Sequence, residues 1–159
     1  MKGAILSEGE EFFTYMSYVF NAIRGIQKEY NWLITNLEAY PKTPKFIEYV
    51  NSDYVWLSGN ELTEMVEIED FQWIWAVLSG FPTSVTKEQV LQYDLPNADE
   101  HEGFYQNPIT IQHPLAVVEI APIDSSFVII ISRDDKIVND FLTSAPLAID
   151  LEVYNNSRK

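Results

Sequence analysis

The chain has no cysteine among its 159 residues. That excludes a disulfide framework, a thiolate nucleophile and a cysteine-based zinc site, and nothing in the composition requires an oxidising compartment. Glycine is scarce as well. The six glycines are scattered at turns, and neither a Walker A phosphate loop nor the dinucleotide-binding glycine pattern occurs, so no cofactor is expected. Long apolar runs are missing too. No window reaches the roughly 18 uninterrupted apolar residues of a membrane span. Glu8, Glu10 and Glu11 interrupt the N-terminus before an apolar segment of signal-peptide length can develop. These absences predict a cytoplasmic protein without a membrane partner.

Positive charge is the most informative shortage. Between Lys45 and Arg133 a single base, Lys87, stands against fourteen acidic residues, so nearly all of the formal net charge of −14 lies there. A field of one sign repels phosphates and anionic lipid and attracts basic proteins. Direct nucleic-acid binding is therefore disfavoured. The aromatic strand at 71–78, with no Lys or Arg near it, also lacks the basic interleaving of an RNA-reading surface.

What the chain does have is core. Hydrophobic residues make up 47%, including nine Phe, nine Tyr and four Trp, the composition of a folded protein and not of an acidic disordered tail. One domain over residues 1–159 is expected, with 155–159 a frayed tail.

Periodicity then predicts the elements. Gly3 to Leu6 reads as a strand. Ser7-Glu8-Gly9-Glu10 has capping-box form and opens a helix over 8–24, striped by Phe12, Met16, Val19 and Ile23. YNWLITNLEA at 30–39 is a strand, and 46–50 and 54–57 form two short ones. Leu62, Met65 and Val66 opposite Glu61, Glu64 and Glu67 predict a short helix at 60–67 with an all-acidic outer face. Residues 71–78 are apolar on both alternating faces and predict a central strand covered on both sides, with Trp73 and Trp75 on one face.

Residues 83–112 are irregular, with a helical turn at 87–93. Strands at 115–121 and 127–132 flank a five-residue turn, and FVIII within the second marks the sheet centre. Asp134 and Asp135 open a helix carrying Ile137, Val138, Phe141 and Leu142, followed by a strand at 147–154. The sum is an α+β fold: a single mixed, mostly antiparallel sheet with about three helices.

Chemistry is thinly represented. Asp99, Glu100, His101 and Glu102 place three carboxylates around an imidazole, ligand types for a divalent cation, but adjacent residues point apart and no metal site is expected. His101 and His113 are the only imidazoles, so a small hydrolase or metal-dependent enzyme would have to use them with carboxylates. A structural or oligomerising protein built on the aromatic strands is a third class. The leading expectation is a non-enzymatic interaction protein binding a basic protein partner, in the manner of an immunity protein or a charge mimic. Its candidate surface joins Glu61, Glu64 and Glu67 to Asp94, Asp99, Glu100 and Glu102.

YNWLI at 30–34, the GFP that closes the aromatic strand at 80–82, and DSSFVIIISRDDKIV at 124–138 resemble a family of small uncharacterised proteins of Gram-positive bacteria, domain of unknown function family 2691. The resemblance implies a bacterial cytoplasmic origin. It carries no activity or functional residues.

Overall fold

Seven strands hydrogen-bond into one open sheet in the order β3-β2-β4-β5-β6-β1-β7, and every neighbouring pair is antiparallel. The strands are β1 (Lys2–Leu6), β2 (Tyr30–Ala39), β3 (Tyr54–Ser58), β4 (Trp73–Pro82), β5 (Val118–Ile123), β6 (Phe127–Ser132) and β7 (Ile149–Asp150). The computed structural model describes residues 1–9 and 14–158. Among these, six α-helices occur where about three were expected: α1 (Met16–Ala22), α2 (Pro44–Val50), α3 (Gly59–Ile68), α4 (Lys87–Val90), α5 (Asp135–Ser144) and α6 (Leu151–Ser157). None is long and apolar enough to cross a membrane.

Strand alternation sends side chains to two faces, and both are buried. On the first, Ala4, Trp32, Ile34, Leu78, Ile120 and Ile130 join the apolar stripes of α1, α3 and α5. On the second, Ile5, Leu33, Val77, Phe81, Ala121 and Ile129 meet Val90, Ala98, Phe104, Ile109 and Ile111, together with Leu151 of α6. The irregular segment between β4 and β5 is thus the second cover of the sheet. A buried Trp32 ring fixes one detail of β4: a Cβ at Gly80 would lie 2.6 Å from Val118 Cγ1 and 3.0 Å from Trp32 Cη2. The glycine lets the strand run on to Pro82, past the expected end at 78.

Several expectations need correction. Residues 46–50 are helix, not strand, because Pro44 at the first helical turn and the extended Thr43 before it start α2. The expected strand at 147–154 is the two-residue β7 followed by α6. Asp150 caps α6 by accepting from Val153 N at 3.1 Å, and Leu151 and Asn155 bury at helical spacing. Asn155 is only 2% exposed, so 155–157 are helix and not tail. α1 starts at Met16, and the expected cap at Glu10 and stripe residue Phe12 lie outside the described residues.

Trp73 and Trp75 do not share a face. Between β2 and β4 the register shifts, with Thr35 opposite Val77, Glu38 opposite Trp75 and Ala39 opposite Trp73. Asn36 takes a positive φ of 54° there. The irregularity turns Trp73 to the first core and Trp75 to the second. β6 is interior, but β5 holds the middle place. β5 starts at Val118, later than expected, and keeps Pro122 within it. Pairing of β5 with β4 ends at Ile120, so the missing proline N–H is not needed for that ladder. Asp124 and Ser125, both at positive φ, close the β5–β6 hairpin.

Candidate functional site

The two halves of the expected acidic surface sit on opposite sides of the sheet. α3 packs Leu62, Met65 and Val66 into the first core, and its outer residues Glu61, Glu64 and Glu67 are exposed over that face. Asp94, Asp99, Glu100 and Glu102 are exposed on the segment that covers the second face. They belong to opposite covers of the sheet, and among the described residues none of the cavities joins the two sets.

The α3 carboxylates are partly committed. Glu61 Oε1 accepts from Ser58 N at 2.9 Å while Ser58 Oγ accepts from Glu61 N at 3.1 Å, a complete capping box. Glu61 and Glu64 line a cavity that Lys45 also lines, and Glu67 lines another with Lys28. Just beyond the helix, Glu69 accepts from Lys42 N, Thr43 N and Thr43 Oγ1, and these bonds hold its carboxyl below the usual range. It anchors the start of α2.

The covering segment is different. A cavity of about 310 Å³ is lined by Asp99, Glu100, His101 and Glu102 with Trp75 and Tyr105 as aromatic walls. A second, of about 520 Å³, brings Asp53 to Asp99 and Glu100. Among the described residues, no Lys or Arg lines either one. The backbone that carries these acids is fastened by side chains. Asn36 Oδ1 accepts from Ala98 N at 2.8 Å, and Thr35 Oγ1 donates to Pro96 O at 2.8 Å. Gln112 Oε1 accepts from Asn97 N while its Nε2 donates to Asn97 O, both at 2.9 Å. The carboxylates are therefore presented on a held backbone.

The histidines part company. His113 is 1% exposed. Its Nδ1 accepts from Leu115 N at 3.1 Å, which makes Nε2 the protonated nitrogen, donating to Val90 O at 2.9 Å. Phe81 and Tyr93 meet the ring edge-on. With both nitrogens used, it is a fastener of the covering segment. His101 packs edge-on against Phe104, and burial pushes its pKa down. His113 is not among the residues lining the His101 cavity. Among the described residues, no group of three or more His, Asp or Glu could hold a metal ion.

No protein-family model, curated protein or solved structure matches the chain. The geometry alone carries the functional reading.

One polar site escaped the sequence. Glu119 on β5 is 1% exposed, on the second face under the covering segment. Its Oε2 accepts from Gln112 N at 3.0 Å, and its Oε1 has no partner among the described residues. Ser79, directly opposite in register on β4, also has a buried Oγ without one. Burial pushes the Glu119 carboxyl up to about 7, and the bond from Gln112 opposes this only in part. A lone Glu between Val118 and Ile120 carries no sequence signal of burial beyond its place in a β-forming run. Asp53 was likewise missed as a neighbour of Asp99, since the two meet only through the fold.

Proposed function

We propose that this chain is a non-enzymatic interaction protein that binds a basic protein partner on the cover of its second sheet face. The observation that carries this reading is the aromatic-walled cavity of Asp99, Glu100 and Glu102, which no Lys or Arg lines among the described residues. A Lys or Arg side chain entering it gains carboxylate partners beside the Trp75 and Tyr105 rings. Asp53 extends the same negative surface. The α3 carboxylates, capped or set beside lysines, contribute only to the long-range field that steers a cationic partner toward the protein.

Affinity capture from the source cell's lysate at low salt tests this. Wild-type protein should retain basic proteins that release as salt rises, and the D99K/E100K/E102K variant should lose them. An E64K/E67K variant, reversed on the other face, should retain them. Identical retention by wild type and the triple variant would reject the reading, as would an E64K/E67K variant that loses the same proteins.

A further inference from the structure

Another cavity, of about 490 Å³, opens between the turn at 102–107 and α6, lined by Glu102, Tyr105, Gln106, Asn107, Asn155 and Arg158. Its size falls in the roughly 300–1,000 Å³ range of small-molecule sites. Asn155 is buried in its wall. The Asn155 Nδ2 donates to Phe104 O at 3.2 Å and to Asn107 Oδ1 at 3.3 Å. Asn107 is itself fixed, its Nδ2 donating to Glu152 O and Asn156 Oδ1, both at 3.0 Å. These acceptors settle which end of the Asn155 amide is nitrogen. The other end, Oδ1, is a buried acceptor without a partner among the described residues.

Arg158 supplies the opposite chemistry. Its guanidinium lies 5.1 Å from the Tyr105 ring centroid and 5.6 Å from that of Tyr154, and Nη1 donates to Tyr154 Oη at 3.1 Å. Stacking and one hydrogen bond hold the group in place while leaving donors of its five N–H groups over. No ion pair engages it among the described residues, although Glu102 lines the same cavity. Among the described residues, a cation and an anion without ion pairs and a buried acceptor without a hydrogen bond thus line one space. A simple anion there would meet Glu102, and a simple cation would meet Arg158. A ligand carrying both charges satisfies both.

We propose that this cavity binds a zwitterionic α-amino acid, its carboxylate on Arg158, its ammonium shared by Glu102 and Asn155 Oδ1, and an apolar side chain beside Tyr105. The cavity shares Glu102 and Tyr105 with the partner-binding reading, but Arg158 and Asn155 line only this one, and an Arg158→Gln variant leaves Asp99 and Glu100 untouched.

Calorimetric titration of the full chain with L-leucine, L-leucinamide and N-acetyl-L-leucine tests the assignment. L-leucine should bind one per chain, and each derivative, lacking one charge, should bind ~10-fold weaker or worse. R158Q and E102Q should each weaken L-leucine to a similar degree while melting like wild type. The side-chain amide resonance of Asn155 should shift on titration of the wild-type protein. The assignment is overturned if L-leucine gives no saturable binding up to ~10 mM, if either derivative matches it, if R158Q binds it unchanged, or if the Asn155 amide signal stays in place.

Discussion

Glu119 shows how one carboxyl can set a pH dependence. Its folded pKa of about 7 stands above the ordinary value of 4.5, so the folded protein holds this proton more tightly than the unfolded chain does. The associated stability is fully present below about pH 4.5 and is lost as pH rises through about 7, a swing of about 3 kcal/mol. Glu69 and Asp140 act in the opposite sense. Hydrogen bonds and nearby cations hold their carboxyls low, so their contribution appears above the ordinary carboxylate range and fades in acid. Urea unfolding midpoints measured across about pH 5 to 8 should therefore shift downward with rising pH in wild type relative to Glu119→Gln, in which His101, its pKa lowered by burial, adds stability as pH rises through the same window. Parallel profiles would show that the carboxyl is not titrating in this window. No charged group contributes to the shift, which leaves desolvation under Gln112 as its cause.

At the level of elements, local caps explain which sequence patterns became structure. Ser58 and Glu61 close a full box at the start of α3, so Ser58→Ala should cost about 1 kcal/mol, read as a lower melting temperature with the fold intact. The apolar stripe of α3 and the β-forming runs of β2, β3 and β6 were legible because 3.6- and two-residue periods leave a clear trace in sequence. α2 and α6 were not. Phe46-Ile47-Glu48-Tyr49-Val50 has the β-branched and aromatic content of a strand, and only Pro44 before it signals a helix start. In α6 the alternation of Leu147, Ile149, Leu151 and Val153 imitates a strand. Asp150, which ends the imitation, declares itself only by capping Val153 N. The candidate site was legible as composition and not as geometry. The charge of residues 99–102 is visible in the string, but Trp75, Tyr105 and Asp53 join them only through the fold.

For the whole molecule, the division of acids between two sheet faces decides what the charge can do. Under the proposed function, a negative field on both sides would speed the approach of a basic partner from any direction, while close contact would fall to Asp99 and Glu100, whose cavities no lysine or arginine lines among the described residues. Salt should therefore slow association with wild type and with the α3-reversed variant alike, whereas the lifetime of the complex should depend on residues 99–102. Stopped-flow association and dissociation rates at two salt concentrations would separate these effects, and an equal loss of lifetime from either face would contradict the division.

The covering segment between β4 and β5 has a further consequence. It buries Val90, Ala98, Phe104, Ile109 and Ile111, yet few regular backbone ladders tie it to the sheet; Thr35, Asn36 and Glu119 do so through side chains, while Gln112 and His113 fasten the segment to itself. Such a layer can lift as one unit while the seven strands stay paired. Its amides should exchange with solvent through an opening of lower free energy than global unfolding, and faster in His113→Ala than in wild type. A molecule of this design has two thresholds of stability, one for its sheet and a lower one for the layer that carries its acidic surface.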